Sequence, residues 1–179
     1  MDNNSITKRI AGIAFFASLA FITSLLEFVI FPAAGFLKMD FSSVFVFLSG
    51  FIFGPISGVV TCLVKELLCM FKSSSGCVGE LANFLITSSF ILLPTIVYHF
   101  KKGFKTVLIT LIIACFIEVG IALFINRFIN FPLYMGAGAK SAFGSLWYYV
   151  AGFNAIKSVS ICIVTIILYK RVSILIRKI

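Results

Sequence analysis

From Leu146 to Tyr169 the chain is almost unbroken apolar sequence, and its one charged residue, Lys157, falls near the middle. At about 1.5 Å per residue, that lysine lies roughly 15 Å below the rim of a membrane helix. Insertion scales put its cost at about 2.5–3.5 kcal/mol. Asn154 stands three residues earlier and so shares its helix face. The chain must therefore fold so that this face meets protein or ligand rather than lipid. The alternatives for Lys157 are snorkelling to the interface or pairing with Glu118.

Composition supports a membrane setting. Hydrophobic residues make up 61% of the 179 and charged ones 12%, against about 25% charged in soluble domains. We expect an all-α integral membrane protein, one domain over residues 1–179, with phenylalanines supplying much of the lipid-facing surface. The formal charge of +9 does not point to nucleic acid, because the basic residues sit at the ends of apolar segments, as membrane topology requires. The cysteines form no CxxC pair, and four of the five lie in apolar stretches, where they act as small apolar residues. No metal site is expected. The first apolar run is too long for a cleavable signal peptide and has no clear cleavage site after it.

The first apolar segment runs from about Ile10 to Phe31 and is long enough to span, with Glu27 near its outer end. Ala14 and Ser18 have small-xxx-small spacing, which allows another helix to approach closely. A loop follows from Pro32 to Ser43. The stretch Val44–Phe53 is too short to cross alone. Gly54-Pro55 breaks it, and a third segment continues to Phe71, so the two read as a hairpin with a tight inner turn. One uninterrupted crossing from 44 to 71 would leave an odd number of spans and put the next lysine-rich loop outside. Further segments run over 80–100, with Pro94 inside, and over 104–128. Residues 130–145 read as a loop, and 146–169 as the last span.

The result is six transmembrane helices in a multi-pass protein of the cell membrane. Both termini are cytoplasmic, together with Lys101, Lys102 and Lys105 and the tail residues Lys170, Arg171, Arg177 and Lys178. Trp147, Tyr148 and Tyr149 fall at the outer interface. No internal repeat is visible.

The chemistry is that of binding rather than catalysis. Gly136–Ser141 lacks the spaced glycines of a phosphate loop, so the chain carries no ATPase of its own. The single histidine, His99, sits at an inner helix end, away from any serine and acid that could complete a hydrolase. No catalytic residues are assigned. The remaining polar positions are Glu80, Asn83, Asn126, Asn154 and Lys157, all in the outer half or near the middle. They describe a pocket that opens outward, lined by phenylalanine and covered by the loop at 32–43. Asparagine offers a donor and an acceptor side by side, and lysine offers donors only. Such a set suits a neutral, flat heteroaromatic ligand whose edge alternates carbonyls and N–H groups.

Several stretches carry a resemblance to a known family. Gly76-Cys77-Val78-Gly79-Glu80-Leu81-Ala82-Asn83-Phe84-Leu85 is close to that family's G-G-V-G-E-L-A-N-F-L. Leu37–Ser42, Phe53–Gly58, Asn126–Phe128 with Pro132–Tyr134, and Phe153–Lys157 support it. The chain resembles the riboflavin-specific substrate-binding (S) components of energy-coupling-factor (ECF) transporters over nearly its whole length. The resemblance implies a six-helix S-component bundle that binds riboflavin from outside as a transported ligand, not a cofactor. It implies a transmembrane coupling (T) subunit and two cytoplasmic ATPase subunits as partners, with lipid around the bundle. Carried over by motif, the ligand contacts are Asn126, Asn154 and Lys157, joined by Leu37, Lys38, Met39, Asp40 and Tyr134. Phenylalanines and Trp147 or Tyr149 would cover the apolar parts of the ring. The face with Ala14 and Ser18 would meet the coupling subunit. Alternatives are an S component for another vitamin, such as folate or pantothenate, or a membrane protein with no role in transport.

Overall fold

The structure is a computed structural model and describes residues 3–73 and 76–176. Arg177 and Lys178 of the basic tail lie outside the described residues. The chain forms α1 (Asn3–Ser24), α2 (Ser42–Phe53), α3 (Pro55–Met70), α4 (Val78–Phe100), α5 (Phe104–Ile125), a short α6 (Phe131–Met135) and a long α7 (Ala139–Ile176). Two two-residue strands, β1 (Phe28–Val29) and β2 (Lys38–Met39), pair antiparallel between α1 and α2. The architecture is otherwise all-α.

α2 is the hub. It packs on α1, α3, α4 and α7, and most of its length is buried, including Val44, Phe47, Leu48 and Phe51. The ring of Phe47 meets Phe90 of α4 edge-on at 4.9 Å. Phe51 lies between Tyr98 and Tyr169 at 5.1 and 5.7 Å, and the Tyr169 hydroxyl donates to that of Tyr98 at 3.0 Å.

The α2–α3 hairpin follows from its sequence. Gly54 adopts φ 97°, ψ 166°, open to glycine and strained for other residues. Pro55 begins α3, where its missing N–H costs nothing. Above the turn the two helices come very close. A Cβ built on Gly58 would lie 3.1 Å from the Cα of Gly50, and one on Gly50 would lie 2.5 Å from Cγ2 of Thr95. Ser49 and Thr61 hydrogen-bond across the same seam at 2.7 Å.

Two expectations need correction. The first helix stops at Ser24 rather than running to Phe31. Leaving the helix early frees Glu27 to pair with Lys38 at 2.7 Å beside the β1–β2 ladder. The supposed loop at 130–145 is almost wholly helical: a π-helical turn over Asn126–Asn130, then α6, a 3₁₀ turn at Gly136–Gly138, and α7 beginning at Ala139. Pro132 falls in the first turn of α6, where proline is tolerated. Of the glycines in this region only Gly136 takes a positive φ, 52°, so it alone turns the chain.

Three stretches, Ser5–Ser24, Val78–Phe100 and Phe104–Arg171, are long and apolar enough to cross a membrane. Large apolar side chains such as Phe15, Ile56, Phe116 and Ile163 point outward, as the surface of a membrane protein does. The two ends of the bundle differ in charge. Lys8 and Arg9 open α1, and Arg9 donates to Ser57 beside the Gly54 turn at 2.6 Å. Lys101, Lys102 and Lys105 join α4 to α5 at that end, and Lys170 lies 5.0 Å over the ring of Phe104 there.

Candidate functional site: a cavity at the end opposite the basic residues

A cavity of about 440 Å³ opens at the other end. The α1–α2 loop contributes Phe36, Leu37, Lys38 and Asp40 to its wall, and α4 contributes Glu80, Asn83 and Ile86. Asn126 and Asn130 project from the π-helical turn, Phe131 and Tyr134 from α6, and Phe153 and Asn154 from α7. The loop is held over the site by apolar packing: Ala34, Leu37 and Met39 form one buried cluster with Phe131, Val150 and Phe153.

Glu27 ties the rim together, lying 2.7 Å from Lys38 and 4.0 Å from Lys72. Lys72 also donates to the Ser24 carbonyl at 2.9 Å, and Ser73 donates to Glu80 at 2.9 Å. These exposed pairs contribute little stability individually. They connect α1, the loop and the start of α4 around the mouth.

The amides form the polar wall. Asn126 donates to the Ala122 carbonyl and Asn154 to that of Val150, each at 2.8 Å. Each amide nitrogen keeps a second hydrogen for another acceptor. Asn130 donates to the Asn126 oxygen at 2.8 Å, and its own oxygen is buried without a partner. A buried acceptor left unpaired costs about 1–3 kcal/mol.

A buried set of charges begins at the wall with Asp40 and continues behind it. Asp40 accepts the Ser42 amide hydrogen at 2.7 Å and stands 3.8 Å from Lys157. Lys65 and Glu66 of α3 form a pair at 2.7 Å, each side chain at most 5% exposed. Glu118 of α5 is also buried, with one oxygen unpaired. Asp40 belongs to the loop. Burial alone would raise its pKa, but the charges of Lys157 and Lys65 and the Ser42 hydrogen bonds outweigh that and hold it at about 2.

The cavity wall brings together most of the residues expected from sequence: Leu37, Lys38, Asp40, Glu80, Asn83, Asn126, Tyr134 and Asn154. Two are placed otherwise. Met39 points into the buried cluster under the loop, 2% exposed. Lys157 stands one layer back, behind Asp40, and faces Phe153 at 5.9 Å. It pairs with Asp40 rather than with Glu118, because the loop brings the aspartate down onto α7. Trp147 and Tyr149 do not line the cavity: Trp147 borders a different groove, and Tyr149 packs on Phe31. Phe36, Phe131 and Phe153 supply the aromatic surface instead.

Sequence reasoning missed Asn130 and the Lys65–Glu66 pair. Asn130 is four residues from Asn126, a spacing that places both on one helical face. Lys65 and Glu66 sit inside an apolar segment, the same signal that singled out Lys157.

Residues 8–169 match the family model described as ECF transporter, substrate-specific component. The chain is 33% identical over 177 residues to the riboflavin transporter RibU of Staphylococcus aureus (strain TCH60), covering 96% of this chain and 94% of that one. It is 26% identical over 166 residues to the riboflavin transporter FmnP of Bacillus subtilis (strain 168), covering 88% and 87%. Its fold matches the solved structure of the S component of a bacterial ECF transporter with a TM-score of 0.82 and 35% identity, covering 93% of this chain and 96% of that one.

Proposed function

The chain belongs to the family of ECF transporter substrate-specific components, and on that premise we propose that its cavity binds riboflavin for uptake across the cell membrane. The observation that carries the reading is the composition of the cavity wall. Three phenylalanine rings, Phe36, Phe131 and Phe153, stand with four amides, Asn83, Asn126, Asn130 and Asn154. The rings suit the faces of an isoalloxazine, and the amides suit its alternating carbonyl and N–H edge. A volume of about 440 Å³ falls within the range of roughly 300–1,000 Å³ for small-molecule sites. Lys157 acts from behind, fixing Asp40 on the wall. Folate and pantothenate carry carboxylates and would favour unpaired cations facing the ligand, whereas the lysines that line this cavity, Lys38 and Lys72, both lie within 4.0 Å of Glu27.

The test is optical. Protein purified in mild detergent should carry a flavin absorbance spectrum, and the stripped protein should quench riboflavin fluorescence on titration. A colourless protein that leaves riboflavin fluorescence unchanged and is stabilised by folate or pantothenate would sink the riboflavin assignment while keeping the architecture.

Six spans, with both termini inside, agree with the positive-inside rule, since the basic residues of α1, the α4–α5 turn and the end of α7 share one end of the bundle. The cavity then opens outward. In intact cells, a cysteine at Ala137 in a cysteine-free background should react with an impermeant reagent, and one at Gly103 should not. The opposite pattern reverses the orientation.

Energy must come from partners, a transmembrane coupling subunit and two cytoplasmic ATPases. Ala14 and Ser18 are both exposed on α1, and the Ser18 hydroxyl is spent on the Ala14 carbonyl at 2.9 Å. That leaves a smooth face of small residues for a partner helix. Replacing both with Leu should cut uptake in cells while leaving riboflavin affinity in detergent unchanged. Undiminished uptake would place the coupling contact elsewhere.

A further inference from the structure

A second cavity, of about 460 Å³, lies on the outside of the bundle between α5 and α7. Its lining is Leu123, Phe124, Arg127, Phe143, Gly144 and Trp147. Five of these present apolar surface and one is a cation. The guanidinium of Arg127 sits 5.5 Å from the ring centre of Phe128 and 6.0 Å from that of Phe143, within cation–π range of both. The side chain is exposed, and among the described residues it has no carboxylate or other hydrogen-bonding partner. Lys140 is one turn above Gly144 on the same face of α7 and is also exposed. Gly144 keeps the groove open: a Cβ added there would meet nothing within 4 Å.

This groove differs from the vitamin cavity in kind. It faces lipid, it offers two cations and no acid, and it has no amide edge. A guanidinium gives paired, parallel donors to a phosphate. The apolar floor formed by Leu123 and Phe124 suits an acyl chain running down α5. Trp147 marks the interface depth at which headgroups lie. The geometry points to a binding site for an anionic glycerophospholipid, with the lipid phosphate on Arg127 and its headgroup beneath Lys140. The cationic pair selects a net anionic lipid over a zwitterionic one, whose ammonium would face the same two charges. Arg127 follows Asn126 directly, so the lipid grips the π-helical turn that carries two of the vitamin site's amides.

The experiment measures thermal unfolding of the purified protein in detergent, with phosphatidylglycerol or phosphatidylcholine of identical acyl chains added at equal mole fraction. Native mass spectrometry of the same samples counts bound lipid. Phosphatidylglycerol should raise the melting temperature of the parent well above the value with phosphatidylcholine, and Arg127→Gln should weaken its binding on the order of tenfold. Gly144→Leu fills the groove without touching a charge and should also abolish the preference, which keeps the test decisive if Arg127→Gln folds poorly. Absence of any preference in the parent, or its survival in both variants, overturns the proposal. The former is also the result expected if a partner helix covers the groove. An equal rise with inorganic phosphate alone overturns the lipid assignment.

Discussion

Lys157→Met lowers the melting temperature of the ligand-free protein and weakens riboflavin binding, and adding Asp40→Asn restores the first but not the second. Lys157 and Asp40 face each other at 3.8 Å, each side chain less than a tenth exposed. Removing one partner of a buried pair typically costs about 3–5 kcal/mol, because the other charge is left desolvated. The expected loss lies near the lower end, since Asp40 keeps the Ser42 amide and the field of Lys65. From sequence alone, with lipid as the alternative surround, Lys157→Met would relieve a burial cost. The aspartate reverses that sign. Neutralising Asp40 in the double variant removes the stranded charge, so stability returns. Binding does not return, because without the pair nothing from α7 fixes residue 40 on the wall.

The same pair predicts a pH dependence. Asp40 has its pKa lowered from 3.8 to about 2 in the folded protein. A depressed carboxylate contributes its full stabilisation above its unfolded value and loses it as pH falls through the folded one. Stability of the parent should therefore decline from about pH 4 towards pH 2. That component should be absent from Asp40→Asn. An unchanged acid limb in Asp40→Asn assigns the decline to other carboxylates. A Lys157→Met protein that melts with the parent removes the pair from the account altogether.

Gly50→Ala is the second large effect, and Thr95→Ser reverses most of it. The added methyl would lie 2.5 Å from Cγ2 of Thr95. Thr95 cannot rotate away cheaply: it is 1% exposed, and its hydroxyl donates to the Ile91 carbonyl at 2.7 Å. Overpacking of this kind costs about 1–3 kcal/mol. Serine keeps the hydroxyl and deletes the clashing methyl, leaving Cβ of residue 95 at 3.3 Å and the Cα of Gly58 at 3.7 Å as the nearest atoms. A thermal-melt cycle over the two single variants and the double reads the coupling directly. Additive effects would mean that α2 and α4 separate readily at this point.

The elements legible in the sequence were those written in local signals. Gly54-Pro55 splits α2 from α3 because a positive φ and a helix-starting proline are both encoded in two residues. The amides at 83, 126 and 154 stood out against apolar neighbours, and the cavity gathers them. What was not legible depends on distant parts of the chain. Lys157 is placed behind Asp40 by a loop more than a hundred residues away in sequence, and nothing in α7 reports that. The helical character of residues 130–145 was hidden by Pro132 and three glycines, Gly136, Gly138 and Gly144. Those residues signal breaks in soluble chains, yet here only Gly136 turns the backbone. Membrane helices tolerate the rest, because neighbouring elements satisfy the backbone.

The short helices of the hub bear on the membrane itself. α2 has 12 residues and α3 has 16, lengths of about 18 and 24 Å, against a hydrocarbon layer of roughly 30 Å. The Arg9–Ser57 bond holds a charge level with the turn between them. Lipid beside α3, the arm of the hairpin that carries the exposed Ile56, Val60, Leu63 and Leu67, must thin by several ångströms, at a cost of a fraction of a kcal/mol for each ångström of mismatch. The bilayer is thus thinned at the basic end of the bundle, where α1 packs beside the hairpin. A partner helix that fills the thinned region releases the deformed lipid, so the bilayer's own elasticity favours assembly on that side.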